Sequence, residues 1–229
     1  MDDREGTYAL AVGGKRIAVV GPAPSVEGSL QGPLIESHDL VVRINRGYLI
    51  PDALVADIGR RTDILYHSCW FGEKFLSQRK EWIDAIPPEV SWICTVYPRQ
   101  DLDHHYAADI ATFETDLGGR IPLRTMPLRR HLALIEAIGT RPNSGLAAIH
   151  DLLSFDVAAV YVTGFTFYSG ERPYRQGYTG EADIALVDPA RARTFHAIHD
   201  QDRQRRFVAE LLAADSRLTV DATLAEILS

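Results

Sequence analysis

The sequence predicts an α/β fold built on a mostly parallel sheet with helices on both faces. Three observations carry this. Short apolar runs such as Arg16–Val20 (RIAVV) and Asp39–Ile44 (DLVVRI) lack the polar alternation of a sheet with one wet face, so they read as strands buried on both sides. Segments with helical spacing separate the runs, and alternating strands and helices favour a parallel sheet. With 229 residues, 46% of them hydrophobic, the chain can build one substantial core.

In chain order, residues 1–14 read as a flexible leader and residues 15–229 as a single domain. Arg16–Val20 ends at Gly21 as the first strand. The Pro/Gly content of Gly21-Pro22-Ala23-Pro24-Ser25 makes it a loop. A short helix starts at Val26 and stops at Gly32-Pro33. Asp39–Ile44 and Ile64–His67 are the second and third strands. Helical spacing returns over Gly72–Ala85, with Phe75, Leu76, Trp82 and Ile83 on related faces, and Ser91–Tyr97 is rich in strand formers. Asp101–Leu117 is a helix with lid character, Leu128–Ile138 and Ser144–Leu153 are further helices, and Val157–Val162 is a strand. A polar, Gly/Pro-rich loop covers 165–195. Asp200–Ala214 is amphipathic, and a last helix runs from about Thr223.

Charge and cysteine usage exclude some classes. A net charge of −7 and a pI of 5.6 speak against a nucleic-acid binder, which needs a basic face. No apolar run reaches the ~18 residues of a membrane span, and Met1-Asp2-Asp3-Arg4-Glu5 lacks the basic and apolar segments of a signal peptide. Peripheral membrane association stays open. Cys69 and Cys94 sit in apolar surroundings and read as buried free thiols, which suits a cytoplasmic location. Asp101, Asp103, His104 and His105 have metal-ligand chemistry, but neighbouring histidines on a helix project about 100° apart and seldom share one ion. No metal is expected.

In open α/β sheets ligands bind beyond the carboxyl ends of the strands. Gly21, Asn45, His67, Tyr97 and Gly164 all fall there. Gly21 would admit a ligand closely, and Ser25 can donate to it or cap a helix. Arg43 and Asn45 share one face of a strand; Asn45 suits a phosphate or a base edge, or else forms a turn beside two solvated arginines. Asn143-Ser144-Gly145 opens a helix, where free N–H groups and the dipole suit a phosphate, although Ser or Asn there also serves as an ordinary N-cap. His199 precedes a second helix start, whose positive potential favours the neutral imidazole that a general base requires; an exposed histidine fits the same pattern, and His196 lies nearby. Tyr168, Tyr174 and Tyr178 in the long loop can stack on a base or sugar, or simply pack the loop.

Several of these segments occur in a familiar order. Lys15–Gly21 through Ser37–Arg46, continued by Asp57-Ile58-Gly59-Arg60-Arg61-Thr62, resembles the large sialylmotif of the sialyltransferase family, glycosyltransferase family 29. Pro142-Asn143-Ser144-Gly145 with Val160–Phe165 resembles the small motif, and His199-Asp200 the start of the very small motif. The resemblance spans roughly residues 15 to 205. It implies a Rossmann-like, modified single-domain glycosyltransferase-A architecture. It also implies a CMP-activated ulosonic sugar (sialic acid or Kdo-like) as co-substrate, inversion at the anomeric centre, and no metal or other cofactor. A glycan or glycolipid would be the acceptor.

By position, Asn45 would contact CMP, Ser144 and Gly145 would lie at the nucleotide or its phosphate, and His199 would take the acceptor proton. Gly21, Ser25, Asn143 and Gly164 join the nucleotide side; Arg43, Tyr168, Tyr174 and Tyr178 are candidate donor or acceptor contacts. Four departures stand out. Pro22 replaces an expected asparagine, Gln204 an expected glutamate, the cysteines that link the motifs in animal members are missing, and no His-Tyr pair lies between the last two motifs. They suit a distant, bacterial-type member. A non-catalytic nucleotide binder of this fold is one alternative; the other, a different Rossmann-type nucleotide enzyme, lacks support because Gly-x-Gly-x-x-Gly is absent.

Overall fold

Alternate side chains of the central strands enter two separate cores, so both faces of the sheet must be covered. The computed structural model describes residues 3–71, 73–98, 106–178 and 198–229. Seven strands, β1 (Arg16–Val20), β2 (Leu40–Ile44), β3 (Ile64–His67), β4 (Trp92–Thr95), β5 (Leu123–Thr125), β6 (Ala159–Thr163) and β7 (Leu218–Val220), form one sheet in the order β5-β4-β3-β2-β1-β6-β7. Every ladder in it is parallel.

On one face Ile17, Val19, Val42, Ile44, Tyr66 and Cys94 pack against the helices α1 (Asp3–Val12), α6 (Leu128–Ile138), α7 (Ser144–Leu153), α8 (Gln201–Ala214) and α9 (Ala222–Leu228). On the other, Ala18, Val20 and Val41 meet α2 (Gly32–Glu36) and α3 (Val55–Ile58) through Ile35 and Ile58. Leu65, Ile93 and Leu123 meet α4 (Arg79–Asp84) and α5 (Tyr106–Leu117) through Ile83, Ile110 and Phe113. Strand order reverses at β1, which lies between β2 and β6. That switch point opens a crevice at the carboxyl edge.

Four expectations need correction. Residues 3–12 of the presumed leader are a helix. Tyr8 and Val12, one turn apart, are fully buried, and the Tyr8 hydroxyl lies 3.0 Å from that of Tyr66. Gly32-Pro33 opens α2 instead of ending a helix, because proline is tolerated in a first turn; upstream, only the 3-10 turn Pro24–Val26 forms. The 72–85 stretch divides into a 3-10 segment, Glu73–Gln78, and the short α4. Finally β5 and β7, three residues each, are strands that periodicity did not reveal.

A buried ionic cluster ties α1 to the sheet. Arg124 donates to both oxygens of Asp151 (2.6 and 3.1 Å) and to Glu5 of α1 (2.5 and 3.1 Å). Tyr66 donates to Asp151 at 2.7 Å. Burial alone would raise the Asp151 carboxyl, but Arg124, joined by Arg130 and the Tyr66 hydroxyl, holds the group below the usual range.

Candidate active site

The cavity at the carboxyl edge is assembled from turns that each follow a strand. Pro22 and Ala23 follow β1, Asn45 and Arg46 follow β2, Ser68 and Trp70 follow β3, and Tyr97 follows β4. Gly164 to Tyr168 follow β6, and the start of α7 and His199 complete the wall. Asn45, Asn143, Ser144, Gly145, Gly164, Tyr168, Tyr174, Tyr178 and His199, scattered over 155 positions of sequence, therefore line one space.

Asn143 is the N-cap of α7, its Oδ1 accepting from Leu146 N at 2.9 Å. Its own N–H donates to Oε1 of Gln204, 2.9 Å away on α8. Gln204 is fully buried, so the amide that replaces an expected glutamate still supplies an acceptor to this turn. Ser144 hydrogen-bonds to Tyr97. Gly145 has a packing reason: a Cβ there would lie 2.3 Å from the Phe165 ring.

His199 is held against the same turn. Its Nδ1 is 3.0 Å from the carbonyl oxygen of Arg141. A carbonyl only accepts, so Nδ1 carries the proton and the lone pair is on Nε2. The Thr140 hydroxyl donates to Ile198 O (3.1 Å) and accepts from Asp200 N (3.3 Å), and Asp200 caps α8. Burial pushes the His199 pKa below its ordinary value, the Arg141 carbonyl opposes that, and the Arg141 charge adds to it. The helix start was the expected cause of a neutral ring; burial comes first among the causes of the lowered pKa.

Asn45 adopts a left-handed backbone, φ 50°, which asparagine tolerates better than most residues. Its Oδ1 accepts from Ser68 N at 2.9 Å, and its side chain hydrogen-bonds to the Tyr178 hydroxyl. The described part of the long loop, 165–178, is built into the site. Arg175, buried, donates to the carbonyls of Gly47 (3.3 Å) and Leu49 (2.9 Å), and its backbone N–H donates to Pro22 O at 2.8 Å. Tyr174 packs against Tyr178 with ring centroids 4.7 Å apart and edge-on to Tyr168 at 5.8 Å.

Three candidates do not belong to the cavity. Arg43 is buried in the fold, donating to Thr62 Oγ1 (3.1 Å) and to the carbonyls of Ile58 (2.7 Å), Gly59 (3.1 Å) and Arg61 (3.1 Å). The left-handed turn at Asn45 breaks the strand alternation that would have kept the two on one face. Gly21 makes room for backbone, not ligand: a Cβ there would meet Gly164 O at 2.2 Å. Ser25 faces a separate shallow depression beside Thr166 and Arg172.

His67 also stands apart. It is buried, with Nδ1 accepting from Cys69 N at 2.8 Å and its ring stacked on Phe113, and burial lowers its pKa to about 3. Arg46, read as a solvated alternative, is buried on the cavity wall, its guanidinium 4.5 Å from the Trp82 ring centre. Trp70, Thr166, Phe165 and Phe167 were not foreseen as lining residues. Their position just past β3 and β6 was the available signal.

Asp101, Asp103, His104, His105, His196 and the loop from 179 to 195 lie outside the described residues. Among the described residues, no group of three or more His, Cys, Asp or Glu side chains could hold a metal, and no helix is long and apolar enough to cross a membrane. Cys69 and Cys94 are free and buried.

Residues 11–108 match the model of glycosyltransferase family 29 (sialyltransferase). The fold is that of solved sialyltransferases. One relative in structure is a mammalian sialyltransferase in complex with Gal-beta-1-3GalNAc-ortho-nitrophenol, 19% identical with a TM-score of 0.58 over 93% of this chain and 71% of that one. A second is the Campylobacter jejuni sialyltransferase CstII in complex with cytidine-5'-monophosphate, 12% identical with a TM-score of 0.54 over 90% and 78%. A third is an alpha-2,3-sialyltransferase from Campylobacter jejuni in apo form, 15% identical with a TM-score of 0.55 over 93% and 78%. No curated protein matches by sequence. The chain thus resembles the sialyltransferase family in the sequence of residues 11–108, and shares the fold of solved sialyltransferases over most of its length.

Proposed function

We propose that this protein transfers an acidic ulosonic sugar, sialic acid or a Kdo-like relative, from a CMP-activated donor to an acceptor hydroxyl. The observation that carries the reading is the shared cavity: the Asn143–Gly145 turn, Asn45 and the His199 imidazole line one space at the switch point of the sheet. Complexes of related folds with CMP and with a disaccharide derivative support it.

In this mechanism the acceptor oxygen attacks the anomeric carbon from the side opposite the phosphate. The C–O bond to phosphate breaks, CMP leaves with the bonding pair, and the acceptor proton passes to Nε2 of His199. The anomeric centre inverts. The Ser144 hydroxyl, the free N–H groups at the start of α7 and the Asn45 amide are the proposed CMP contacts, with Gly164 at the nucleotide. Tyr168, Tyr174 and Tyr178 provide hydroxyls and ring faces along the sugar path. Arg46 adds positive charge to the wall where the anionic donor would lie. None of these steps needs a metal ion. As part of the same proposal the protein works in the cytoplasm, where buried free thiols persist.

The test is a thermal-shift and calorimetric screen with CMP, UDP, GDP and NAD. CMP alone should raise the melting temperature, by mass action on the folded state, and Ser144→Ala or Asn45→Ala should weaken it. Stabilisation by UDP or NAD in its place overturns the reading. CMP binding without release of CMP from CMP-sialic acid or CMP-Kdo would leave a nucleotide-binding protein, not an enzyme.

A further inference from the structure

Trp70 is 43% exposed, yet it lines the cavity. A large indole at a rim loses hydration-driven burial, so its placement calls for a reason. The backbone that presents it is constrained from three directions. Ser68 N–H donates to Asn45 Oδ1 at 2.9 Å, Cys69 N–H donates to His67 Nδ1 at 2.8 Å, and the Ser68 hydroxyl donates to Trp70 O at 3.4 Å. Between them Cys69 holds φ at 59°, a left-handed conformation that a residue with a Cβ adopts only under support from its surroundings. Strain and hydrogen bonds together aim an aromatic surface outward at the mouth of the site.

Its place in the sheet sets it one strand further than Asn45 from the crevice at the strand reversal. Trp70 follows β3, two strands from β1 in the sheet, and strands lie about 4.8 Å apart. The crevice opened by strand reversal lies between β1 and β6, on the far side of β2. The start of α7 reaches the end of β4, where Ser144 bonds to Tyr97, and His199 is tied to Arg141 just before the helix. The proposed base and the exposed indole line the same cavity.

We propose that Trp70 is the acceptor platform, on which a pyranose ring of the incoming glycan stacks by its C–H face. The carbon-bound hydrogens of a pyranose carry slight positive charge and meet the negative face of the indole, while the ring hydroxyls stay turned to water. Stacking of this kind selects a flat apolar sugar face and orients one hydroxyl toward His199 without using a charged group. The inference rests on the glycosyl-transfer reading and names the substrate class that Trp70 would select.

The experiment uses the full chain saturated with CMP, and methyl β-galactoside, lactose and N-acetyllactosamine as probes in saturation-transfer NMR. At least one probe should receive saturation on its ring C–H protons from the wild-type protein. Its affinity should fall about tenfold in Trp70→Ala and stay within about threefold in Trp70→Phe. CMP affinity should be unaltered in both variants, and equal melting temperatures would show that the fold is kept. Three outcomes overturn the proposal: no probe binds the wild type, Trp70→Ala binds the probes as well as the wild type, or Trp70→Ala loses CMP affinity, which would put the cytosine on the indole. Absence of CMP binding to the wild type would instead refute the underlying glycosyl-transfer reading.

Discussion

The Nδ1 atom of His199 lies 3.0 Å from the carbonyl oxygen of Arg141, two residues before the N-cap of α7. One hydrogen bond thereby joins the proposed base to the proposed phosphate turn and selects the tautomer with its lone pair on Nε2. Removal of the imidazole by His199→Ala should lower sugar transfer by about 10²–10⁴-fold and leave CMP affinity unchanged. The pH profile gives an independent check. Burial lowers the His199 pKa from 6.5, so the base stays unprotonated to more acidic pH. Transfer should fall only as pH drops through a value below 6.5. An acidic limb centred above 6.5, measured as kcat/KM, would contradict the assignment.

Gln204 and Asn143 form a second link between α8 and the phosphate turn. Gln204→Leu would leave the Asn143 N–H buried without its acceptor, which costs roughly 1–3 kcal/mol. The expected result is a lower melting temperature together with weaker CMP binding. Gln204→Glu retains an oxygen at the same place and should preserve CMP binding far better. Calorimetry on the two variants separates these outcomes; equal losses in both would show that the acceptor oxygen is unimportant.

Gly145 and Phe165 interlock. A methyl group on Gly145 would sit 2.3 Å from the ring, so Gly145→Ala should destabilise the fold by about 1–3 kcal/mol and displace the turn that lines the cavity. Trimming the ring in Gly145→Ala/Phe165→Val should restore part of the CMP affinity lost by the single variant. Additive losses in a double-mutant cycle would mean that the two positions do not act through contact.

The N-terminal helix is part of the core. Deleting residues 1–14 removes Tyr8, Val12 and Glu5, and strips Arg124 of one partner. The melting temperature should drop by many degrees, whereas loss of a true leader would leave it unchanged. Asp151→Asn tests the ionic cluster separately: it leaves Arg124 short of its buried counter-charge and should cost about 3–5 kcal/mol in urea unfolding.

Much of the fold was legible before any coordinates. The strands at Arg16–Val20 and Ile64–His67 and the helices at Leu128–Ile138 and Ser144–Leu153 announce themselves, because continuous apolar runs and amphipathic spacing are properties of a few consecutive residues. The turns after strands marked Asn45, Tyr97 and Gly164 for the same reason. The three-residue strands Leu123–Thr125 and Leu218–Val220 were not legible. They exist because a neighbouring strand supplies their hydrogen bonds, not because of their own pattern. The helix at Asp3–Val12 gave little signal either, since only Tyr8 and Val12 of its described side chains are buried in the core, with Ala11 partly so.

From its sequence alone this chain settled the alternation of strands and helices, the order of its motifs and the chemistry of the side chains at each turn, all of them local or linear properties. Tertiary structure decided which of those side chains meet. Asn45 and Arg43 are two residues apart, yet a left-handed backbone sends one to the cavity and the other into the core. His199 and Ser144 are 55 residues apart, yet hydrogen bonds linking His199 and Gln204 to the turn before α7 bring both to one cavity. Convergence of this kind depends on strand order and burial, and those arise only when the whole core packs.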